Sequence, residues 1–310
     1  MLINNADYEK QTDQTRTRVL ISEPGASTGV PYLPYVWAVL KSYYEHGHRA
    51  EPGNRIEWLA PIFERAAVPV MVAPYVNDRV DVLGLSCYVW NWTLQCQIAQ
   101  RIKKLNPDCV VVAGGPEPDY KNPDFFAEHP YIDVVVIRDG EMPFAEIVSR
   151  VARGQRAFDD IPGLCLPAES RRAQASTGPA QVPVVFDRSP YLDNTAYLEA
   201  IVASRAPGAF STVLETNHGC PYSCSFCDWG SSTMSKVRRF EMDRVGHEVD
   251  WIGRMKIGFV MLVDANFGIF PRDLEIADLI NNAKRKYGFP GYLYYSAAKN
   301  NPDRSIEVAR

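Results

Sequence analysis

Three cysteines, Cys220, Cys224 and Cys227, fall within the eight residues CPYSCSFC. The other four, Cys87, Cys96, Cys109 and Cys165, are scattered. A structural zinc site takes four ligands, commonly as two CxxC pairs. Here one group of three stands without a second pair, and His218 lies too near Cys220 for an unstrained fourth ligand. A redox CxxC would use Cys224 and Cys227 and leave Cys220 idle. Pro221, Ser223, Ser225 and Asp228 make the stretch a polar loop, which disfavours a core strand with buried thiols. An iron–sulfur cubane is held by thiolates, ordinarily four. Three thiolates leave one iron open, and an open metal position is what a catalytic centre keeps for its substrate. The spacing therefore predicts a metal-binding loop that carries a 4Fe-4S cluster on Cys220, Cys224 and Cys227.

The elements that must position this loop alternate. STVLET (211–216) reads as the strand before it, and a helix follows from about Met242 to Met255 with Val245, Val249 and Ile252 as its apolar face. IGFVMLV (257–263) is the next strand, then a helix from Arg272 to Tyr287 closed by Gly288, then the strand YLYYSAA (292–298). A further helix starts near Pro302. The rhythm halts partway into that helix, which leaves a predicted sheet with an uncovered edge. The expectation is a partial (β/α) barrel, apparently truncated at its C-terminus, within a longer protein.

The first half has the same rhythm. RVLISEP (18–24), VDVLGLS (80–86), CVVVAGG (109–115) and IDVVVIR (132–138) are apolar runs of strand length. Helices are expected over 34–46, over 93–105 with Leu94, Ile98, Ile102 and Leu105 on one face, and over 142–152 with Phe144, Ile147, Val148 and Val151 inward. Fully apolar strands alternating with helices predict a parallel, doubly wound (Rossmann-like) α/β sheet covered on both faces. Such a sheet binds ligands at the carboxyl ends of its strands. Ser86-Cys87-Tyr88, Gly114-Gly115-Pro116-Glu117 and Asp139-Gly140-Glu141 stand at those ends. The glycine pair either admits a ligand to the backbone or only makes a tight turn.

Residues 1–16 read as a disordered polar tail, 17–153 as the first domain, 154–207 as a linker with a short hairpin around Leu164 and Val184, and 208–310 as the partial barrel of three strand–helix units. The 310 residues carry a net charge of −4, which gives no electrostatic reason to expect nucleic acid or an anionic membrane as partner. KVRR at 236–239 reads as a solvated face beside the loop. No apolar run reaches membrane-span length, and seven cysteines without a framework favour a reducing, cytoplasmic setting.

CxxxCxxC with Phe226 before the third cysteine, following a strand, resembles the radical SAM enzymes. In front of it, VDVLGLS, VVVAGGPEP, IDVVVIRDGEMPF, IPGL and SPYL resemble, in order, the cobalamin (B12)-binding domain that precedes many radical SAM barrels. The likeness covers most of 18–300. It implies a class B radical SAM methyltransferase that uses S-adenosyl-L-methionine (SAM), the cluster and cobalamin. The open iron would chelate SAM, and one electron would release a 5′-deoxyadenosyl radical. Methylcobalamin would then methylate an unactivated carbon of a peptide or secondary-metabolite precursor. Rearrangement, cyclisation or methylthiolation on the same architecture, or a non-catalytic cobalamin- or cluster-binding fragment, are the alternatives. A flavodoxin- or ferredoxin-like electron donor is implied as partner.

The resemblance also implies site residues. The backbone near Phe226 and Asp228 would meet the adenine. Asp264, Asn266 and Ser296 would face SAM's polar groups, with Lys299 as a carboxylate partner. Asp264 and Asn266 read equally well as a capping turn before Pro271. Cobalamin would lie near Ser86, Tyr88, Asn91, Gly114, Gly115, Pro116, Glu117 and Glu141. The histidine-on motif D-x-H-x-x-G is missing, with EPGASTGVPYLPY in its place, and His46 and His48 read as surface residues. The lower cobalt face would then see water or the loops 25–35 and 88–92. The family pattern has Gly-Glu where this chain has Arg138-Asp139, and often Arg where it has His218.

Overall fold

The computed structural model describes residues 16–26, 29–48, 55–167, 175–177, 187–222, 224 and 237–309. Two compact units emerge: 1–28 with 39–183, and 29–38 with 184–310.

The first unit holds β1 (Thr17–Ser22), β2 (Ile56–Trp58), β3 (Val82–Ser86), β4 (Val110–Gly114), β5 (Val134–Val136), β6 (Leu164–Leu166) and β7 (Ala175–Ser176), in the order β2-β1-β3-β4-β5-β6-β7. The first five are parallel and the last two antiparallel. The strand order 2-1-3-4-5 is that of flavodoxin-like folds, in which connections leave to opposite faces between β1 and β3. Helix α1 (Tyr35–Ser42) crosses the division of units and continues as a π-turn, Tyr43–Gly47. The stretch that the sequence leaves unread, 50–79, holds β2 and the short helix α2 (Val68–Val72).

Helix α3 (Trp92–Leu105) buries Ile98, Ala99 and Ile102 in one core with Leu83, Leu85, Val111 and Ala113, and Leu94 and Leu105 pack at its margin. That is the face that the spacing predicts. After α4 (Phe125–Glu128), helix α5 (Glu141–Ala152) buries Phe144, Ile147 and Val148. A Cβ at Gly84 would sit 2.7 Å from Ile21 Cδ1 and 2.9 Å from Phe144 Cε2, so only glycine lets α5 approach the middle of the sheet.

In the second unit, β8 (Ser211–Leu214), β11 (Phe259–Phe267) and β12 (Tyr292–Ala297) form a parallel sheet in the order β12-β11-β8. Residues 31–33 extend it, with Leu33 N donating to Ser211 O at 2.9 Å and Ser211 N to Pro31 O at 2.9 Å. Helices α8 (Met242–Arg254) and α9 (Arg272–Tyr287) alternate with the strands, and α10 (Pro302–Ala309) follows β12. Gly288, at φ 77, ends α9 as the sequence predicts, its N–H bonded to Lys284 O. The described residues form no closed barrel.

The segment read as a linker divides between the units. Leu164–Leu166 pairs with Ala175–Ser176 as a hairpin, while Val184 lies outside the described residues. Further on, α6 (Pro190–Asp193) and α7 (Thr195–Ala203) bury Tyr191 and Leu198 completely. Tyr191 stacks on Trp251 at 5.0 Å, and its hydroxyl bonds Thr212 Oγ1 at 2.8 Å. A single aromatic anchor in a weakly patterned stretch is what the composition concealed.

Candidate functional site

The carboxyl ends of β1 and β3 are tied together by two amides at the start of α3. Gln95, fully buried, accepts from Ser22 Oγ at 2.7 Å and donates to Ser22 O at 2.8 Å and Ser86 O at 2.9 Å. Asn91, one helical turn earlier, donates to Pro24 O and Ser86 O at 3.0 Å each and accepts from Tyr88 N at 2.8 Å. Asn91 therefore braces the loops instead of presenting a group to a ligand. The sequence reading missed Ser22 and Gln95; two amides four residues apart ahead of an apolar helix were the available signal.

The other expected residues gather beside this brace. Cys87 N donates to Gly114 O at 2.8 Å, and Glu117 N to Cys87 O at 3.4 Å. Gly115, at φ 99, could carry no side chain: its Cβ would lie 2.3 Å from Cys87 O. A Cβ on Gly114 would meet only Leu85 O at 3.9 Å, so this strand end shows bare backbone to open space. That ledge fits the approach of a large planar group such as a corrin. Tyr88 stacks on half-exposed Trp90 at 4.5 Å, Pro116 is exposed, and Glu141 opens α5 beyond neighbouring β5. Burial pushes the Cys87 thiol far above its usual range, which keeps it an inert core group. His48 is not a surface residue: it bonds Ser149 Oγ at 2.9 Å and stacks on Tyr44. His46 is exposed.

In the second unit the cysteine loop leaves β8 through β9 (Asn217–His218), which pairs with β10 (Arg238–Arg239) on the loop's return. The basic run KVRR thus supplies the closing strand, a role its charge did not suggest. Arg272 donates to Phe240 O at 2.7 Å and to Thr216 O at 3.1 Å and so clamps both legs. His218 Nδ1 lies 2.6 Å from Glu215 Oε1.

Asp264 anchors the entry. It is 1% exposed and accepts from Thr216 N at 2.7 Å, Thr216 Oγ1, Asn217 N at 3.2 Å and Asn217 Nδ2 at 2.5 Å. Burial pushes its carboxyl up to about 7 against those donors. With all four contacts made to its own chain, Asp264 holds the loop and does not face a ligand. Asn266, two residues on, donates from Nδ2 to Cys220 Sγ at 3.2 Å. Ser296 and Lys299 are exposed, and Ser296 shares a strand face with exposed Tyr292 and Tyr294.

Cys220 is buried and Cys224 exposed, both with free thiols. Cys227, Phe226 and Asp228 lie outside the described residues. Among the described residues no three metal-binding side chains cluster. The donor set still fits a thiolate-held centre: two described thiols four residues apart, one already accepting an amide hydrogen bond.

Residues 67–148 match the B12 binding domain. The chain is 38% identical over 285 residues to the cobalamin-dependent radical SAM methyltransferase TokK of Streptomyces tokunonensis, covering 90% of this chain and 40% of that protein. The chain carries a B12 binding domain and is homologous to cobalamin-dependent radical SAM methyltransferases. It is also 36% identical over 281 residues to the 2-(S-pantetheinyl)-carbapenam-3-carboxylate methyltransferase of Streptantibioticus cattleyicolor, covering 91% of this chain and 41% of the relative. It therefore spans about 40% of the length of these relatives. The fold matches the cobalamin-dependent SAM radical enzyme OxsB, solved with aqua-cobalamin and SAM bound, at TM-score 0.65 and 19% identity, over 90% of this chain and 38% of that one. Among the described residues no helix is long and apolar enough to cross a membrane.

Proposed function

We propose that this chain supplies the cobalamin-binding sheet and the cluster-binding strand–helix units of a radical SAM methyltransferase. Its substrate class is a small secondary-metabolite precursor of the carbapenam thioether kind, with an unactivated carbon as methyl acceptor. One observation carries the reading: a cysteine loop leaves a parallel strand, anchored by Asp264 and touched at Cys220 Sγ by Asn266, in a chain that also holds a B12 binding domain. The likeness to the carbapenam methyltransferase supports the substrate class.

In this reading Cys220, Cys224 and Cys227 hold the cluster. The backbone of Phe226 and Asp228, together with Ser296 and Lys299, would hold SAM. Ser86, Tyr88, Gly114, Gly115, Pro116, Glu117 and Glu141 would hold cobalamin. When bound, the cluster with SAM supplies one-electron hydrogen abstraction, and cobalamin supplies the methyl group. Asn91 and Gln95 fix the carboxyl ends of β1 and β3 beside that ledge. Asp264 and Arg272 fix the legs of the cysteine loop before any metal binds. A flavodoxin- or ferredoxin-like protein delivers the electron.

Anaerobic purification with iron, sulfide and cobalt analysis tests the reading. A brown protein with about four irons per chain that co-elutes with added hydroxocobalamin is expected. A colourless protein that elutes free of cobalamin would overturn it.

A further inference from the structure

Strand β11 ends in an arrangement that the proposed function does not require. Its register with β12 runs evenly to Leu262↔Tyr295 and resumes only at Phe267↔Ala297. Between these pairs β11 advances from 262 to 267 while β12 advances from 295 to 297, so residues 263–266 are released from pairing with β12. Irregularities of this kind re-aim side chains beside functional sites. Within the released stretch, Asp264 and Asn266 both reach the chain that leaves β8: Asp264 at Thr216 and Asn217, Asn266 at Cys220 Sγ.

The two contacts differ in kind. The contacts of Asp264 are all to groups of the loop's entry and would fix any loop. The Asn266 amide instead points its N–H at the sulfur of a ligand cysteine, which is 9% exposed as a residue. Hydrogen bonds to ligand sulfurs are among the levers that set an iron–sulfur potential, because a donor stabilises the more negative, reduced state. A neutral amide does so without adding a net charge that would bias a cationic sulfonium ligand.

We propose that Asn266 is a positioning residue that raises the reduction potential of the cluster through its hydrogen bond to Cys220 Sγ. This rests on the reading of Cys220 as a cluster ligand. It replaces the expected contact of Asn266 with SAM.

The test is a potentiometric titration followed by electron paramagnetic resonance. It uses the reconstituted protein and its Asn266→Leu, Asn266→Asp and Asn266→Gln variants, each with iron and sulfide counted. Asn266→Leu removes the donor. Asn266→Asp keeps the shape and replaces the donor with an acceptor, which covers the case in which leucine impairs folding. Both are expected to hold iron at the wild-type stoichiometry with a more negative midpoint. Asn266→Gln, which keeps an amide, returns the midpoint toward the wild-type value. Equal midpoints in all four iron-loaded proteins would overturn the proposal and leave the cluster reading standing. A wild-type protein that takes up no iron would overturn the cluster reading and this inference with it.

Discussion

At the strand ends of the first unit the loops are tied by side-chain amides, Asn91 and Gln95, which carry no charge at any pH. In the second unit the loop that leaves β8 is tied by a carboxylate, Asp264, buried to 1% exposure. Among the described residues, the carboxyls that burial pushes above their usual range, Asp264, Glu248 and Asp273, belong to the second unit. The histidines that burial pushes down, His48 and His129, belong to the first. The difference teaches that two loop ends can be tied by satisfied amides alone, whereas the entry to the cysteine loop is held by several donors converging on one strong acceptor.

The largest effect that would break this comparison is steric. Gly115→Val places a branched side chain at φ 99 and against Cys87 O. It should destabilise the first unit by about 4 kcal/mol and abolish cobalamin retention, measured by denaturant unfolding and gel filtration with hydroxocobalamin. Next, Asp264→Asn keeps the shape and one acceptor oxygen but turns an NH2 toward two of the four donors. It should cost about 3 kcal/mol and lower iron uptake on reconstitution, with cobalamin retention unchanged. Gln95→Leu removes the buried partner of Ser22 Oγ and leaves Ser86 O to Asn91 alone, and should cost about 2 kcal/mol, confined to the first unit.

A smaller effect is a divergence with pH. A carboxyl raised in the folded state stabilises fully below its unfolded value and loses that contribution as pH rises through the folded one. The second unit should therefore lose stability as pH rises from about 4 to about 7. A histidine lowered in the folded state acts the other way, so the first unit should gain stability as pH rises through about 6.5. Hydrogen exchange resolved by peptide at pH 5 and pH 7.5 would show opposite trends; parallel trends would break the comparison. The smallest effect is at Arg138, a non-glycine residue at φ 71 where the family pattern places glycine. Arg138→Gly should stabilise the first unit by about 1 kcal/mol in thermal unfolding.

Much of the first sheet was legible because its strands are unbroken apolar runs and α3 shows its buried face at regular spacing. The three cysteines were legible because their count and spacing carry the chemistry by themselves. What stayed hidden depends on contacts between distant residues. Asp264 and Asn266 look like a capping turn until β11 is seen to slip against β12 and turn both toward Thr216–Cys220. Residues 31–33, read as part of a loop of the first domain, pair with β8 through backbone bonds that no side-chain pattern announces. Arg238 and Arg239 were read by charge, whereas their backbone closes the cysteine loop.

The central claim is that Cys220, Cys224 and Cys227 hold a cluster with one iron free for SAM. Electron paramagnetic resonance of the anaerobically reconstituted, reduced protein, recorded before and after SAM is added, tests it most directly. The account predicts an iron–sulfur signal whose g-values move when SAM is added, and loss of that signal in Cys224→Ala. A signal that SAM leaves unmoved, or one that survives Cys224→Ala unchanged, would contradict it.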